Sequence, residues 1–308
     1  MAKKMTNISH IEGYLYQHDL ALKTVANKES KNYGTEFISG TIDIATNDAM
    51  TNIVQIHFTF VTPTTSTGKS NATYNMLKNI LDGKIGTYMQ DGKDSAGKLS
   101  VDSAIALNEF YTDRNGKEEL VSVKRNEGGF VHNADFLNDN EEKRATFRED
   151  MIITNVTHVD PDEERQIPEH CLVKGYIFNF RNSIMPVEFT CKHPDGITYF
   201  EGLELPIFTL VEGKQVSEVI IRTIVEQSAF GEDSVREVRS SRKGFEITRA
   251  NPQPYDWDSE ETITVAEIKE FLAQRETDLA TMKRRSDEWK AQQNTNKAPV
   301  TNNGGFNF

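Results

Sequence analysis

The feature that most constrains this chain is a two-residue alternation of apolar and polar side chains, broken at short intervals by turn-forming residues. In Ile11-Glu12-Gly13-Tyr14-Leu15-Tyr16-Gln17 it places Ile11 and Leu15 on one face, with Tyr14 and Tyr16 beside Glu12 and His18 on the other. Successive side chains of a strand point to opposite sides of a sheet, so the pattern predicts a half-buried strand and not a helix. It recurs in Phe37–Ile44, where Ile38, Ile42 and Ile44 lie opposite Phe37, Ser39 and Thr41. It recurs again over Val54, Ile56, Phe58 and Phe60, all assigned to a core, with Gln55, His57 and Thr59 facing outward. Asn47-Asp48 supplies the turn between these two segments.

A polar loop from Thr62 to Asn71 leads into a short helix around Ala72 to Leu81. Strands over Ala104–Tyr111 and Glu119–Arg125 are joined by Asp113-Arg114-Asn115-Gly116, whose Asn-Gly pair suits a tight hairpin turn. Three strands, a helix and two strands is the order of the oligonucleotide/oligosaccharide-binding (OB) barrel, a small Greek-key fold. The plan repeats further on, with strands predicted over Cys171–Phe180, Pro186–Cys191, Ile197–Leu205, Val216–Glu226 and Val235–Thr248. The expected fold class is therefore mainly β, with two tandem OB-like modules over 8–132 and 170–255 and an acidic linker over 133–169. A C-terminal helix over 263–293 and a disordered tail over 294–308 complete it. The helix is read from a capping box, Thr264 with Glu267, and from a stripe of Val265, Ile268, Leu272, Leu279, Met282 and Trp289 that Arg275 and Ser286 interrupt. Its first expected role is packing on the second module. Pairing between chains, giving a homo-oligomer, is the second.

Several function classes fall away on composition. No window approaches the roughly 18 apolar residues of a membrane helix, and the polar N-terminus does not read as a secretory signal, so a cytoplasmic protein is expected. Cys171 and Cys191 are the only cysteines, and the single His/Cys grouping, His170-Cys171 with Cys191-Lys192-His193, lacks the short ligand spacings of a zinc finger. Pro63-Thr64-Thr65-Ser66-Thr67-Gly68-Lys69-Ser70 resembles a phosphate loop. However, Pro63 stands where the turn glycine is needed and offers no N–H to a phosphate. No nucleophile elbow or acid pair stands out, so neither an enzyme, a metal nor a cofactor is expected. The net charge of -12 looks unsuited to a polyanionic partner, but its acids cluster around Asn138–Glu142 and Asp160–Glu164. Residues 1–100 carry ten lysines against nine acids, which leaves room for a basic groove.

The candidate site consists of rings that share strand faces with polar and basic groups. Tyr14, Tyr16, Phe37 and His57 provide these in the first module, with Lys23, Lys28, Lys31 and Tyr33 in the loop after its first strand. Lys174, Tyr176, Phe178 and Arg181 do so in the second, with Arg239, Arg242 and Lys243 on its last strand. Unpaired bases expose flat π-faces, so rings flanked by cations suit a single strand held without reading its sequence. Gly13-Tyr14-Leu15, Gly40-Thr41-Ile42-Asp43-Ile44-Ala45-Thr46-Asn47 and Ile53–Val61 resemble the opening strands of OB-fold single-stranded DNA-binding proteins, closest to the large phage type. The resemblance covers mainly residues 8–132. It extends to the tail Asn302-Asn303-Gly304-Gly305-Phe306-Asn307-Phe308, although no acid follows Glu288 where that family carries an acidic tip. It implies a protein that coats and protects single-stranded DNA in replication or recombination, with partner proteins reached through the tail and, for a phage protein, a bacterial host cytoplasm. A structural or virion assembly protein that uses the barrels for protein contacts is the other reading.

Overall fold

The computed structural model describes residues 5–114, 117–163, 167–226, 234–257 and 263–296; the side chains of 218–242 and 292–296 lie outside that description. The tail expected over 294–308 falls almost wholly outside it. The first unit runs β1 (Asn7–His18), β2 (Ala21–Thr24), β3 (Glu36–Ala45), β4 (Ile53–Val61), α1 (Ala72–Leu81), α2 (Tyr88–Asp91), β5 (Lys98–Arg114) and β6 (Lys117–Asn133). β1 pairs antiparallel with both β3 and β5, β3 with β4, and β5 with β6. A short parallel pairing of β4 with β6 closes the ring. With β2 as a small addition on β3, this is the connectivity of an OB barrel. The alternating residues read from the sequence fill it: Ile11, Leu15, Ile38, Ile42, Ile44, Val54, Ile56 and Phe58 form one core with Leu77 and Ile80 of α1. Asn71 starts α1 by accepting the backbone N–H groups of Thr73 and Tyr74.

The second unit repeats the connectivity with β7 (Ala145–Val159), β8 (His170–Phe178), β9 (Ile184–Cys191), α3 (Pro194–Glu201), β10 (Ile207–Glu226) and β11 (Ser234–Ala250). β7 pairs with β8 and β10, β8 with β9, β10 with β11, and β11 runs parallel to β9. The β7–β8 crossing is tight: a Cβ on Gly175 would collide with the Ile152 carbonyl. Two expectations are corrected here. The stretch 133–169 is not a linker throughout, because Ala145–Val159 is the first strand of this barrel and turns Phe147, Met151 and Ile153 into its core. Nor is Ile197–Leu205 a strand. Pro194 opens a helix whose Ile197 and Phe200, three residues apart, are its buried residues.

The barrels share one continuous sheet through antiparallel pairing of β1 with β7, from Asn7↔Glu149 to Ile11↔Ala145. A buried polar network locks this junction. Asn126 and Gln215 exchange side-chain hydrogen bonds of 2.8 and 3.0 Å, and Gln215 also donates to Ser9. Asn52 joins it by donating to the Gln215 carbonyl and accepting from the Ser217 N–H. Lys124 of the first barrel lies over the Phe189 and Phe245 rings of the second and donates to the Glu188 carbonyl.

Helix α4 (Val265–Asn296) begins at the predicted capping box, with Glu267 N–H donating to Thr264 Oγ1 and Thr264 N–H to the Glu267 carboxylate. Its first turns, Ile268, Phe271 and Leu272, pack on a cluster of Met5, Ile152, Phe178, Ile184 and Phe208. It then crosses to the first barrel. Arg275, the residue that interrupts the apolar stripe, makes a two-pronged ion pair with Glu109 of β5, and Lys283 and Lys290 hold Glu118 of β6. No described helix is long and apolar enough to span a membrane.

Candidate nucleic-acid interface

The outer face of β3 and β4 carries one aromatic platform. Phe37 and Phe60 pack together with ring centroids 4.6 Å apart. Alternation had assigned Phe60 to the core, but it is 43% exposed. The register slips between Ile38 and Gly40, so β4 has an extra residue opposite β3; Val61 faces the core and Phe60 turns outward. Such a bulge re-aims a side chain. Gly40 permits the bend with φ of 132°, at a point where a Cβ would press on the Asp19 carbonyl. Lys23 of β2 stands opposite Phe37 in register, and Lys28, Lys31 and Tyr33 are exposed in the adjoining loop.

From this platform β4 leads along Thr59 to His57 and into a groove between the barrels. Strand geometry places His57 about 10 Å from Phe60. The groove, a cavity of about 330 Å³, is lined by His57, Arg125 and Asn108 of the first barrel and by Lys243 and Phe245 of the second. A second cavity of about 400 Å³ shares Lys243 and Phe245 and continues to His170, Leu172, Thr190 and Lys192. The two cavities thus share a wall that includes Lys243 and Phe245. Burial, with Arg125 nearby, holds the His57 imidazole below its usual value, so its neutral form is favoured in the free protein. Arg125 is oriented by Glu127 at 2.9 Å, while Lys243 is exposed. Lys124 also lines the groove, but burial lowers its ammonium's value and its charge is committed to the junction.

The other nominated residues divide. Tyr14 is flanked by Lys93 and Lys98, at 5.1 and 5.9 Å from its ring, and Tyr16 stacks on Tyr88 at 5.3 Å, forming a separate aromatic-basic patch on β1 and α2. Lys174 is paired with Glu188 at 3.1 Å. Tyr176 packs beneath the α4 region, and Phe178 is 0% exposed, so Phe178 is a core residue and not a stacking surface. The alternation that grouped it with Lys174 fails because α4 and the segment before it cover this end of β8. Arg181 lies over the exposed Phe180 ring in the turn after β8. The side chains of Arg239 and Arg242 lie outside the described residues; their backbone pairs with Ile221 and Glu218. Arg125 and Phe245 were not nominated. β4 runs parallel to β6 with His57 opposite Glu127, which brings Arg125, two residues before Glu127, into the same groove.

The phosphate-loop-like segment closes on itself. Thr65 N–H donates to the Lys69 carbonyl and Gly68 N–H to the Thr65 carbonyl, so these donors do not form a cradle. Among the described residues, no three His, Cys, Asp or Glu side chains gather to hold a metal ion.

Two solved structures align with the chain at low similarity. The wild-type single-stranded DNA binding protein from Thermus aquaticus is 10% identical, with a TM-score of 0.41, over 80% of this chain and 93% of that one. A deletion mutant of the same protein is 11% identical, with a TM-score of 0.43, over 85% and 100%. No curated protein matches the sequence. The family model YorF matches residues 10–284, and the chain accordingly belongs to the YorF family.

Proposed function

We propose that this protein binds single-stranded DNA without strong sequence preference, coating and protecting it during replication or recombination. The observation that carries the reading is the set of rings and cations made up of the Phe37–Phe60 platform, then His57 and Arg125 in the groove, then Lys243 and Phe245 in the wall it shares with a second cavity. The rings offer stacking to bases and the cations offer contact to phosphates, and only unpaired bases expose their faces to such rings, which favours a single strand over a duplex. The two barrels act as one binding unit, divided near the start of β7, because this set belongs to neither alone. The test is a fluorescence titration with single- and double-stranded oligomers over a salt series. Tight single-strand binding that weakens steeply with salt supports the reading. Equal affinity for both forms, or binding indifferent to salt, overturns it.

A protein-contact role is favoured by a different observation. Ile8, Phe130 and Phe180, all strongly exposed, are gathered around a separate cavity of about 750 Å³. Exposed apolar clusters of this kind mark association surfaces. Light scattering of the free protein at rising concentration tests it.

A further inference from the structure

Two thiols face one another inside the second barrel. Cys171 of β8 and Cys191 of β9 are directly opposed in antiparallel register, and both belong to the barrel core as free cysteines. Opposed antiparallel residues hold their Cα atoms roughly 4.5 or 5.5 Å apart. Both values lie within the roughly 4.4–6.8 Å that a disulfide spans, so closing the bond requires little backbone movement. The two thiols are near enough to perturb each other's ionisation, with the Cys171 S–H acting as donor toward Cys191.

The two are not equivalent. The hydrogen bond from Cys171, joined by one from the His193 backbone N–H, holds the Cys191 thiol below the ordinary cysteine value. Donating that bond, and burial, push Cys171 up. Cys191 therefore ionises first, and the thiolate is the nucleophile in thiol chemistry. Cys191 is 2% exposed, but it borders open space. It lines a cavity of about 350 Å³ beside α3 whose other walls include His193, Asp195 and Arg249, all with well-exposed side chains. Gly196 forms part of that wall, and a Cβ there would come within 2.5 Å of the Cys191 sulfur.

We propose that Cys171 and Cys191 are a peroxide-oxidisable dithiol, with Cys191 as the attacking sulfur and the cavity beside α3 as its entrance. The Cys191 thiolate attacks one oxygen of hydrogen peroxide, the O–O bond breaks, and the departing hydroxide takes a proton to leave as water. Cys191 is then a sulfenic acid. The Cys171 sulfur attacks it, an S–S bond forms, the S–O bond breaks, and the hydroxide leaves with the Cys171 proton as a second water. The two thiols supply the two electrons that reduce one peroxide. An added dithiol reductant reverses the change by exchange. This inference is independent of what binds in the groove.

The test uses the full chain, reduced, freed of reductant and exposed to a small excess of hydrogen peroxide before alkylation and peptide mass mapping. The expected product is a monomer that has lost two hydrogens, with the peptides of Cys171 and Cys191 cross-linked and both thiols recovered by dithiothreitol. Cys171→Ser should stop at the sulfenic acid, captured on Cys191 by dimedone, whereas Cys191→Ser should leave Cys171 unmodified over the same interval. A wild-type protein whose two thiols both remain alkylatable after peroxide overturns the proposal. So does a cross-link formed only between chains, or first oxidation at Cys171.

Discussion

The two barrels share one connectivity but expose it differently. In the first, the outer face of strands two and three is open and carries the rings Phe37 and Phe60, with the half-buried His57 imidazole further along β4 in the groove. In the second, the matching face is open at Leu172, Thr190 and the ion-paired Lys174 and Glu188; its far end lies under the segment before α4 and the first turns of that helix. A ring at an outward strand position is thus a platform in one barrel and a core residue in the other. What decides between them is the chain that follows the barrel, and the barrel's own pattern does not reveal it.

The largest expected effect separates these two kinds of ring. Phe178→Ala removes a fully buried side chain, and the transfer and cavity losses together amount to about 3–5 kcal/mol. It should melt well below wild type while the molecules that remain folded bind oligonucleotide normally. Phe37→Ala should do the reverse. Its melting temperature should change little, whereas affinity for a single strand falls by roughly 5- to 150-fold, the value of about 1–3 kcal/mol per stacked base. Thermal melts paired with fluorescence titration read both. If Phe37→Ala binds as wild type does, the open face of the first barrel is not a stacking surface.

The barrels also treat a buried acid differently. Asp43 in the first accepts side-chain amide hydrogen bonds from Gln17 and Gln55 at 2.8 Å each. Glu149 in the second is fully buried, neither carboxyl oxygen has a hydrogen-bond partner among the described residues, and burial beside Asp150 raises its value well above that of an ordinary glutamate. The folded state therefore holds a proton that the unfolded chain releases above about pH 4.3. Stability is lost as pH climbs from that unfolded value through the folded one. Glu149→Gln copies the protonated form, so it should stabilise the protein at pH 8, by about 1–3 kcal/mol, with the gain shrinking toward pH 5. A difference in melting temperature that stays flat from pH 5 to 8 would show that Glu149 does not take up this proton.

Much of the first barrel was legible because the core-facing residues of its strands follow alternation as far as Phe58, although Ser39, Asp43 and Ala45 on the opposite face of β3 are buried as well. Ile38, Ile42 and Ile44 all face the core as alternation requires, and α1 has the predicted bounds. Phe60 was misread because a bulge shifts the phase by one residue, and no local residue type announces it. In the second barrel β7 was hidden by its own acids: Glu149 and Asp150 are buried where composition argued for an exposed linker. Ile197, Tyr199, Leu203 and Leu205 happen to alternate, so α3 read as a strand even though Pro194 suits a helix start. The groove was only half visible. His57 and Lys243 were nominated for separate reasons, and tertiary pairing of barrels far apart in sequence brings them to one cavity.

The smallest expected effect tests whether the site distinguishes the barrels in charge as well as in rings. Lys243 stands exposed in the wall common to the two cavities, while Lys174, on the outer face of β8, is engaged by Glu188 at 3.1 Å. A cation that contacts one phosphate of a single strand contributes about 0.7 to the slope of log affinity against log salt. Lys243→Ala should therefore flatten that slope by about this amount, with affinity at moderate salt falling only a few-fold. Lys174→Ala should leave the slope unchanged, since its charge is already answered. Binding isotherms over a salt series resolve a change of this size. Equal slope changes in the two variants would mean that the phosphate backbone runs over the face of β8 as well. The contrast between an open first barrel and a partly covered second would then hold for stacking but not for charge.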